Sequence, residues 1–394
     1  MNYQQQAEKV LMKTYNRFPI VLDHGDGVYL YDVDDKKYLD FGSGIAVFAL
    51  GYNQKEYNQA LKDQIDKLIH TSNLYYNVLA IEAGTKIVES TGLDKVFFTN
   101  SGTEAIEGAI KLARKYAYEK DPTKEYEIIA MEHGFHGRSQ GALSVTGTKK
   151  YREGMIPKGI SAVFATFNDL EDVKNKINEK TCAIITEVVQ GEGGIYPAKQ
   201  EFLTGLRELC DEHDILLIFD EIQCGMGRCG AMYAHELYGV KPDVMTLAKA
   251  LGCGVPVGAF VASEKCSHTL VPGDHGTTYG GNPLATCAVS KVYDLFEKLN
   301  IVDHVKEVGT YLGEKLDVLT QKYDMIKEHR GLGLIHGLEL MEQVKAQDVI
   351  QKALEHGLII LSAGNNTLRF VPPLIIEQHH IDEMISVLEQ CLRS

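Results

Sequence analysis

The chain has 394 residues, 44% hydrophobic and 24% charged, so it is long enough for two cores and too evenly mixed to be a disordered segment. Forty Lys and Arg against 54 Asp and Glu give a net charge of −14, which opposes non-specific attraction to nucleic acid or to an anionic membrane surface. Any anion must therefore be held by a local site.

Residues 1–6 lack a basic segment followed by an apolar one, and the longest apolar runs, such as 45–50, are far too short to span a bilayer. A cytoplasmic location without membrane anchorage is expected. The eight cysteines, at 182, 210, 224, 229, 253, 266, 287 and 391, form no Cys-x-x-Cys pair. They read as reduced interior thiols, with a redox or metal role for Cys224 and Cys229 left as the alternative.

In chain order, the first element expected is a half-buried hairpin over 27–41, where apolar and polar residues alternate around Asp34-Asp35. It is assigned to a smaller domain that opens with residues 1–52. Over 53–300, short apolar runs alternate with amphipathic stretches of helix length, the pattern of a mostly parallel sheet covered on both faces. Strands are expected at 95–99, 127–131, 182–189, 215–219, 244–247 and 257–262. Phe202, Leu203, Leu206, Leu209 and Cys210 share one face at 3.6 residues per turn, and this helix feeds directly into 215–219 as a βαβ step. Asn282-Pro283 makes an N-cap and first turn for a helix over 284–299. Residues 301–394 then turn mixed, with glycine-rich strands around 331–340, 357–361 and 367–371 and a last helix near 381–392. They are expected to complete the small domain.

Three stretches carry chemistry. Phe97-Phe98-Thr99-Asn100-Ser101-Gly102-Thr103-Glu104-Ala105 joins a strand to a helix, where free N–H groups make either an anion site or an ordinary capped turn. Asp220 follows the apolar run 215–219 at the strand end where open α/β sheets keep their ligands, and burial there requires a cationic or hydrogen-bonding partner. Lys249 sits just past 244–247 with no acidic neighbour in sequence. Desolvated, it is a carbonyl nucleophile, and solvated, a surface charge. The run 331–337 has the wrong glycine spacing for a dinucleotide fingerprint, there is no Walker lysine motif and no His-Glu-x-x-His, and His133 with His136 lacks the further ligands of a metal site. No resident metal is expected.

Ser101-Gly102-Thr103, Phe135-His136-Gly137-Arg138, Gln190-Gly191-Glu192-Gly193-Gly194, Asp220-Glu221-Ile222-Gln223, Lys249 and His275-Gly276-Thr277-Thr278-Tyr279-Gly280-Gly281-Asn282-Pro283 occur in that order. Together they resemble the class III, or omega-amino-acid, aminotransferases, over about residues 19–374. The resemblance implies an α/β fold of fold-type I: a large pyridoxal 5'-phosphate-binding domain with a mostly parallel sheet, and a smaller α+β domain built from both chain ends. It implies Lys249 as the Schiff-base lysine and Asp220 as the partner of the pyridine nitrogen. Gly102, Thr103 and Thr278 would hold the phosphate, Phe135 and Ile222 would flank the ring, and Gln223 would reach its phenolic oxygen. The position matching Thr278 is supplied by the second subunit in that family, so a homodimer is expected.

Arg138 resembles the guanidinium that takes the carboxylate far from the reacting carbon, with Thr277 as a second candidate for that contact. Arg369 resembles the one that takes the α-carboxylate of glutamate, and Glu192 resembles a switching partner of Arg369. The reaction implied moves the terminal amino group of N-acetylornithine to 2-oxoglutarate. The alternatives are ornithine, succinylornithine or 4-aminobutyrate as donor, or a same-fold aminomutase. Ornithine-specific relatives usually carry a tyrosine in the stretch matching 42–46, and its absence here favours an acylated substrate. Ser139, Val188, Cys224 and Cys229 depart from the family pattern without removing a group that the chemistry needs.

Overall fold

The computed structural model describes residues 3–156, 162–364 and 366–393, so Met1 and Asn2 of the opening segment lie outside the described residues. Seven strands pair into a central sheet: β1 (Lys95–Thr99), β2 (Glu127–Met131), β3 (Ala162–Ala165), β4 (Thr181–Glu187), β5 (Leu216–Asp220), β6 (Val244–Leu247) and β7 (Gly258–Ala262). Their spatial order is β1-β7-β6-β5-β4-β2-β3. Strands β2 to β6 run parallel, and β7 runs against both of its neighbours, β6 and β1.

Every residue of β4, β5 and β6 is buried, which is why these strands read as unbroken apolar runs rather than as an alternation. Helices cover the faces. The Gln200–Glu212 helix buries Phe202, Leu203, Leu206, Leu209 and Cys210, the side chains that the 3.6-residue spacing put on one face. The Gly102–Lys120 helix crosses so close to β7 that a Cβ on Gly108 would stand 2.2 Å from the ring of Phe260. Asn282 caps the Pro283–Lys298 helix by accepting from the amide of Ala285 at 2.9 Å. β3 is absent from the expected strands because its four residues, only partly buried at the sheet edge, are too short to show a period.

The hairpin of Tyr29–Asp32 and Lys37–Asp40 turns at the left-handed Asp35, and the Leu22–Asp26 strand extends it. Leu358–Ile359 pairs parallel to Lys37–Asp40, so both chain ends share one sheet. The stretch 331–340 proves to be parts of two antiparallel strands, Ile326–Leu332 and Ile335–Leu340, folded at the left-handed Gly333. The stretch 357–361 is likewise divided. Its second part belongs to the Leu361–Ala363 strand, which pairs with Thr367–Phe370 beside the Ile335–Leu340 strand. The Ile301–Lys322 helix, not among the expected elements, buries Val305, Val308, Leu312, Leu316 and Leu319. Among the described residues no helix is long and apolar enough to cross a membrane.

Candidate active site

The carboxyl ends of β4, β5 and β6 lie side by side and deliver Glu187, Asp220 and, two residues past Leu247, Lys249 to one cavity of about 460 Å³. The same cavity takes in Gly102, Thr103, Phe135, Arg138, Ile222 and Gln223. Eight of the twelve residues singled out in the sequence therefore line one space.

Asp220 is 3% exposed and is held on three sides. The ring of His136 meets its Oδ2 through Nδ1 at 2.7 Å, while Oδ1 accepts from the amide of Ile222 at 3.0 Å and from Thr246 Oγ1 at 3.3 Å. The partner that burial demands is thus His136, a residue that the sequence offered as half of a discarded metal motif. Burial opposes protonation of His136, but its bond to Asp220 and the charges of Asp220 and Glu187 hold its pKa above the ordinary histidine value. His133 points elsewhere: it is exposed, sits at the left-handed φ of 62°, and borders a neighbouring groove.

Lys249 makes no ion pair or hydrogen bond through its amine with any described residue, although its backbone carbonyl accepts from the amides of Gly252 and Cys253. Burial pushes its amine below the usual lysine range, opposed in part by the charge of Glu192. Its backbone is left-handed, with φ 48°, a sparsely populated conformation for a residue with a side chain. An unpaired amine with weakened proton affinity, facing a fixed carboxylate, is a nucleophile and proton carrier.

At the opposite wall, Ser101 caps the Gly102–Lys120 helix, its Oγ accepting from the Glu104 amide at 3.3 Å. The amides of Gly102 and Thr103 are first-turn donors that helix geometry leaves free for an anion. Gly102 is needed for closeness: a Cβ there would lie 2.9 Å from Ile222 Cδ1. A buried carboxylate, an unpaired lysine, an open helix N-terminus and the two apolar flanks Phe135 and Ile222 form a donor set that fits pyridoxal phosphate.

Glu192 and Arg369 stand next to this cavity and form an ion pair. Gln223 joins them, donating to Glu192 Oε1 at 3.3 Å and accepting from Arg369 at 3.2 Å. Burial works against the charge of Glu192, yet Arg369 and Lys249 hold its carboxyl below the usual range. Arg138 reaches the cavity from an exposed position, its guanidinium 4.6 Å from the ring of Tyr151 and 5.9 Å from that of Phe135. Thr277 and Thr278 are not brought into the cavity by this chain. Thr277 accepts from Asn100 at 3.3 Å at its edge, and Thr278 is exposed.

Glu187 is absent from the candidates that the sequence suggests, although it bears the same signature as Asp220, a carboxylate at the end of an apolar run. Its Oε2 accepts from the amide of Phe135 at 3.1 Å and its Oε1 from the amide of Gly191 at 3.2 Å. Burial, with the charge of Asp220, pushes its pKa up to about 7 against the opposing pull of His136.

The family profile described as "Aminotransferase class-III" matches residues 10–392. The acetylornithine aminotransferase of Methanocaldococcus jannaschii is 48% identical over 389 residues, covering 99% of this chain and 97% of that one. Among solved structures, the N-acetylornithine aminotransferase of Stenotrophomonas maltophilia superposes with a TM-score of 0.84 at 34% identity, over 96% of this chain and 97% of that one. The ornithine aminotransferase of Toxoplasma gondii reaches a TM-score of 0.95 at 28% identity, over 99% and 94%.

Proposed function

Since the chain belongs to the class-III aminotransferases, which depend on pyridoxal phosphate, we propose that it moves the terminal amino group of N2-acetyl-L-ornithine to 2-oxoglutarate. The products are N-acetylglutamate 5-semialdehyde and L-glutamate, a step of arginine biosynthesis. The observation that carries the transamination chemistry is the unpaired, desolvated Lys249 facing the triply held Asp220 across one cavity, and the acetylated donor is supported by the likeness to acetylornithine aminotransferases.

When bound, pyridoxal phosphate supplies an aldehyde and a ring that draws electrons from the reacting carbon. Lys249 Nζ, deprotonated more readily than an exposed lysine, would hold the cofactor as a neutral amine nucleophile and would carry the proton removed from the substrate carbon. Asp220, held in place by His136, Thr246 and the Ile222 amide, would face the ring nitrogen and hold a proton there. Gly102 and Thr103 would hold the phosphate by their amides, Phe135 and Ile222 would flank the ring, and Gln223 would reach its oxygen. Arg138 takes the carboxylate far from the chemistry in both substrates. Arg369 takes the α-carboxylate that only glutamate places beside the reacting carbon, once Glu192 has swung away.

We also propose that the working form is a cytoplasmic homodimer in which Thr278 completes the phosphate site of the partner subunit. Its exposure supports this, as does the apolar surface beside it: Leu74, Tyr75, Tyr76, Val78 and Tyr279 are all more than 60% exposed. The segment carrying them is tied to the 275–282 loop through Asn73, which donates to the carbonyl of Gly280 at 2.9 Å, and Asn77, which donates to that of Gly281 at 3.2 Å.

The test is a panel of ω-amines with 2-oxoglutarate, following glutamate. N-acetylornithine should exceed ornithine, succinylornithine and 4-aminobutyrate in kcat/KM. A faster reaction with free ornithine would move the donor assignment, and turnover without 2-oxoglutarate would replace transamination by an aminomutase.

A further inference from the structure

We propose that Glu187 is a positioning residue that clasps two loops of the site with one carboxylate, fixing the ring-flanking Phe135 and the turn that bears Glu192 relative to each other. The geometry is specific. Glu187 ends β4 directly opposite Asp220 on β5, so it rises between the two loops from the rigid floor of the sheet. Each oxygen serves a different loop, with Oε2 accepting from the amide of Phe135 at 3.1 Å and Oε1 from that of Gly191, one residue before Glu192, at 3.2 Å. No cation pairs with it among the described residues, and it is 5% exposed. A buried carboxylate without a counter-ion is costly, and a core packed only for stability would favour an apolar residue in its place. The two amides favour the ionised form against the opposing effect of burial, because only a carboxylate's two oxygens can each accept without offering a donor.

The space around it is equally constrained. A Cβ on Gly134 would come within 3.7 Å of Glu187 Oε2, 3.3 Å of His136 Nε2 and 3.0 Å of the Met131 carbonyl, so the loop passes directly over the carboxylate. Phe135 and Glu192 take part in different events under the reading above, on which this inference rests: one holds the ring, the other screens Arg369. A single clasp makes ring retention and substrate choice depend on the same side chain.

Glu187→Gln breaks one of the two bonds at nearly constant shape, because an amide has one accepting oxygen and must turn a donor toward one of the two backbone N–H groups. Glu187→Asp keeps both acceptors on a shorter arm. The Gln holoenzyme should release pyridoxal phosphate on dilution at least about tenfold faster than wild type, and its ratio of half-reaction rates for glutamate and N-acetylornithine should shift by a similar factor. The Asp variant should recover part of both. Unchanged release and an unchanged ratio in a folded Gln variant overturn the clasp. Should that variant fail to fold, hydrogen exchange in the wild-type holoenzyme decides. The Phe135 and Gly191 amides should be protected well beyond the neighbouring loop amides, and exchange at ordinary loop rates overturns the proposal. Cofactor release and hydrogen exchange do not depend on the amino donor, so they test the clasp even if the proposed reaction is wrong.

Discussion

Lys249 combines two costs that ordinary folding avoids, a left-handed backbone and a desolvated amine without an anionic partner. Both are accounted for if the amine must be uncharged and aimed across the cavity at Asp220. Borohydride reduction of the holoenzyme should therefore fix pyridoxal phosphate to Lys249 alone, as read by mass spectrometry of its peptides. Label on another lysine removes Lys249 from its role. At Glu192 the issue is selectivity. Arg369 is nearly buried, its side chain 4% exposed, and the Glu192 carboxylate is its anion, which under the proposed function would give way to the α-carboxylate of glutamate. Replacing Glu192 with Ala leaves the guanidinium always available to glutamate. The ratio of kcat/KM for glutamate over N-acetylornithine should rise by roughly tenfold, equivalent to about 1.4 kcal/mol of lost discrimination. Half-reaction rates with an unchanged ratio would defeat the switch.

Among the elements, the turn at residues 43–46 stands out for strain. Ser43, Gly44, Ile45 and Ala46 all have φ between 42° and 68°, so three side-chain-bearing residues, one of them β-branched, follow a left-handed path. What holds them there is Asp40, whose Oδ1 accepts from the amides of Gly42 at 2.7 Å and Ser43 at 3.0 Å, together with the Ser43 hydroxyl, which donates to the carbonyl of Val371 at 2.5 Å. Val47, immediately after the turn, lines the cavity, and Val371 ends the stretch that carries Arg369, so the strained turn joins two parts of the site. Because Ile45 is 45% exposed, replacing it with Gly removes backbone strain with little loss of packing. Stability in chemical denaturation should rise by about 1 kcal/mol, and a fall would mean that Ile45 packs against something this chain alone does not supply. The strands behave in the opposite way. Leu217, fully buried in β5 within the core on one face of the sheet, should cost about 2–5 kcal/mol when cut to Ala, with the loss appearing in the denaturation midpoint before activity changes.

For the whole molecule, the central matter is whether one chain makes a complete site. Thr278 is exposed and outside the cavity, next to a surface where Tyr76 is 97% and Leu74 87% exposed, the kind of apolar patch that a partner would cover. Mixing Lys249→Ala and Thr278→Ala proteins under conditions that exchange subunits gives a decisive outcome. If Thr278 serves the partner, the hybrid dimer has one intact site, and tight cofactor binding with turnover should return to a fraction of the population. If Thr278 served its own chain, no hybrid site would be intact and nothing would return. Tyr76→Glu should separately shift the protein to monomer in sedimentation, because an ionised side chain cannot be buried there without a partner.

What the sequence determined by itself were the features encoded locally: the buried strands, because runs such as 215–219 have no polar face to present to water, the Asn282 cap, and the placement of Asp220 at one strand end and of Lys249 just past another. The ordered motifs also carried the family. Tertiary structure alone decided which distant groups meet. His136 reads as a metal ligand or a loop residue until the fold sets it 2.7 Å from Asp220, 84 residues away, and the ion pair of Glu192 with Arg369 joins positions 177 apart. Glu187 is not legible in the sequence as a site residue because a lone carboxylate after an apolar run is only a strand end. Its two bonds exist because parallel pairing with β5 and the return of two separate loops bring the amides of Phe135 and Gly191 to its two oxygens. Such contacts depend on strand order and loop path, which are settled by packing the whole sheet rather than by any stretch of residues read alone.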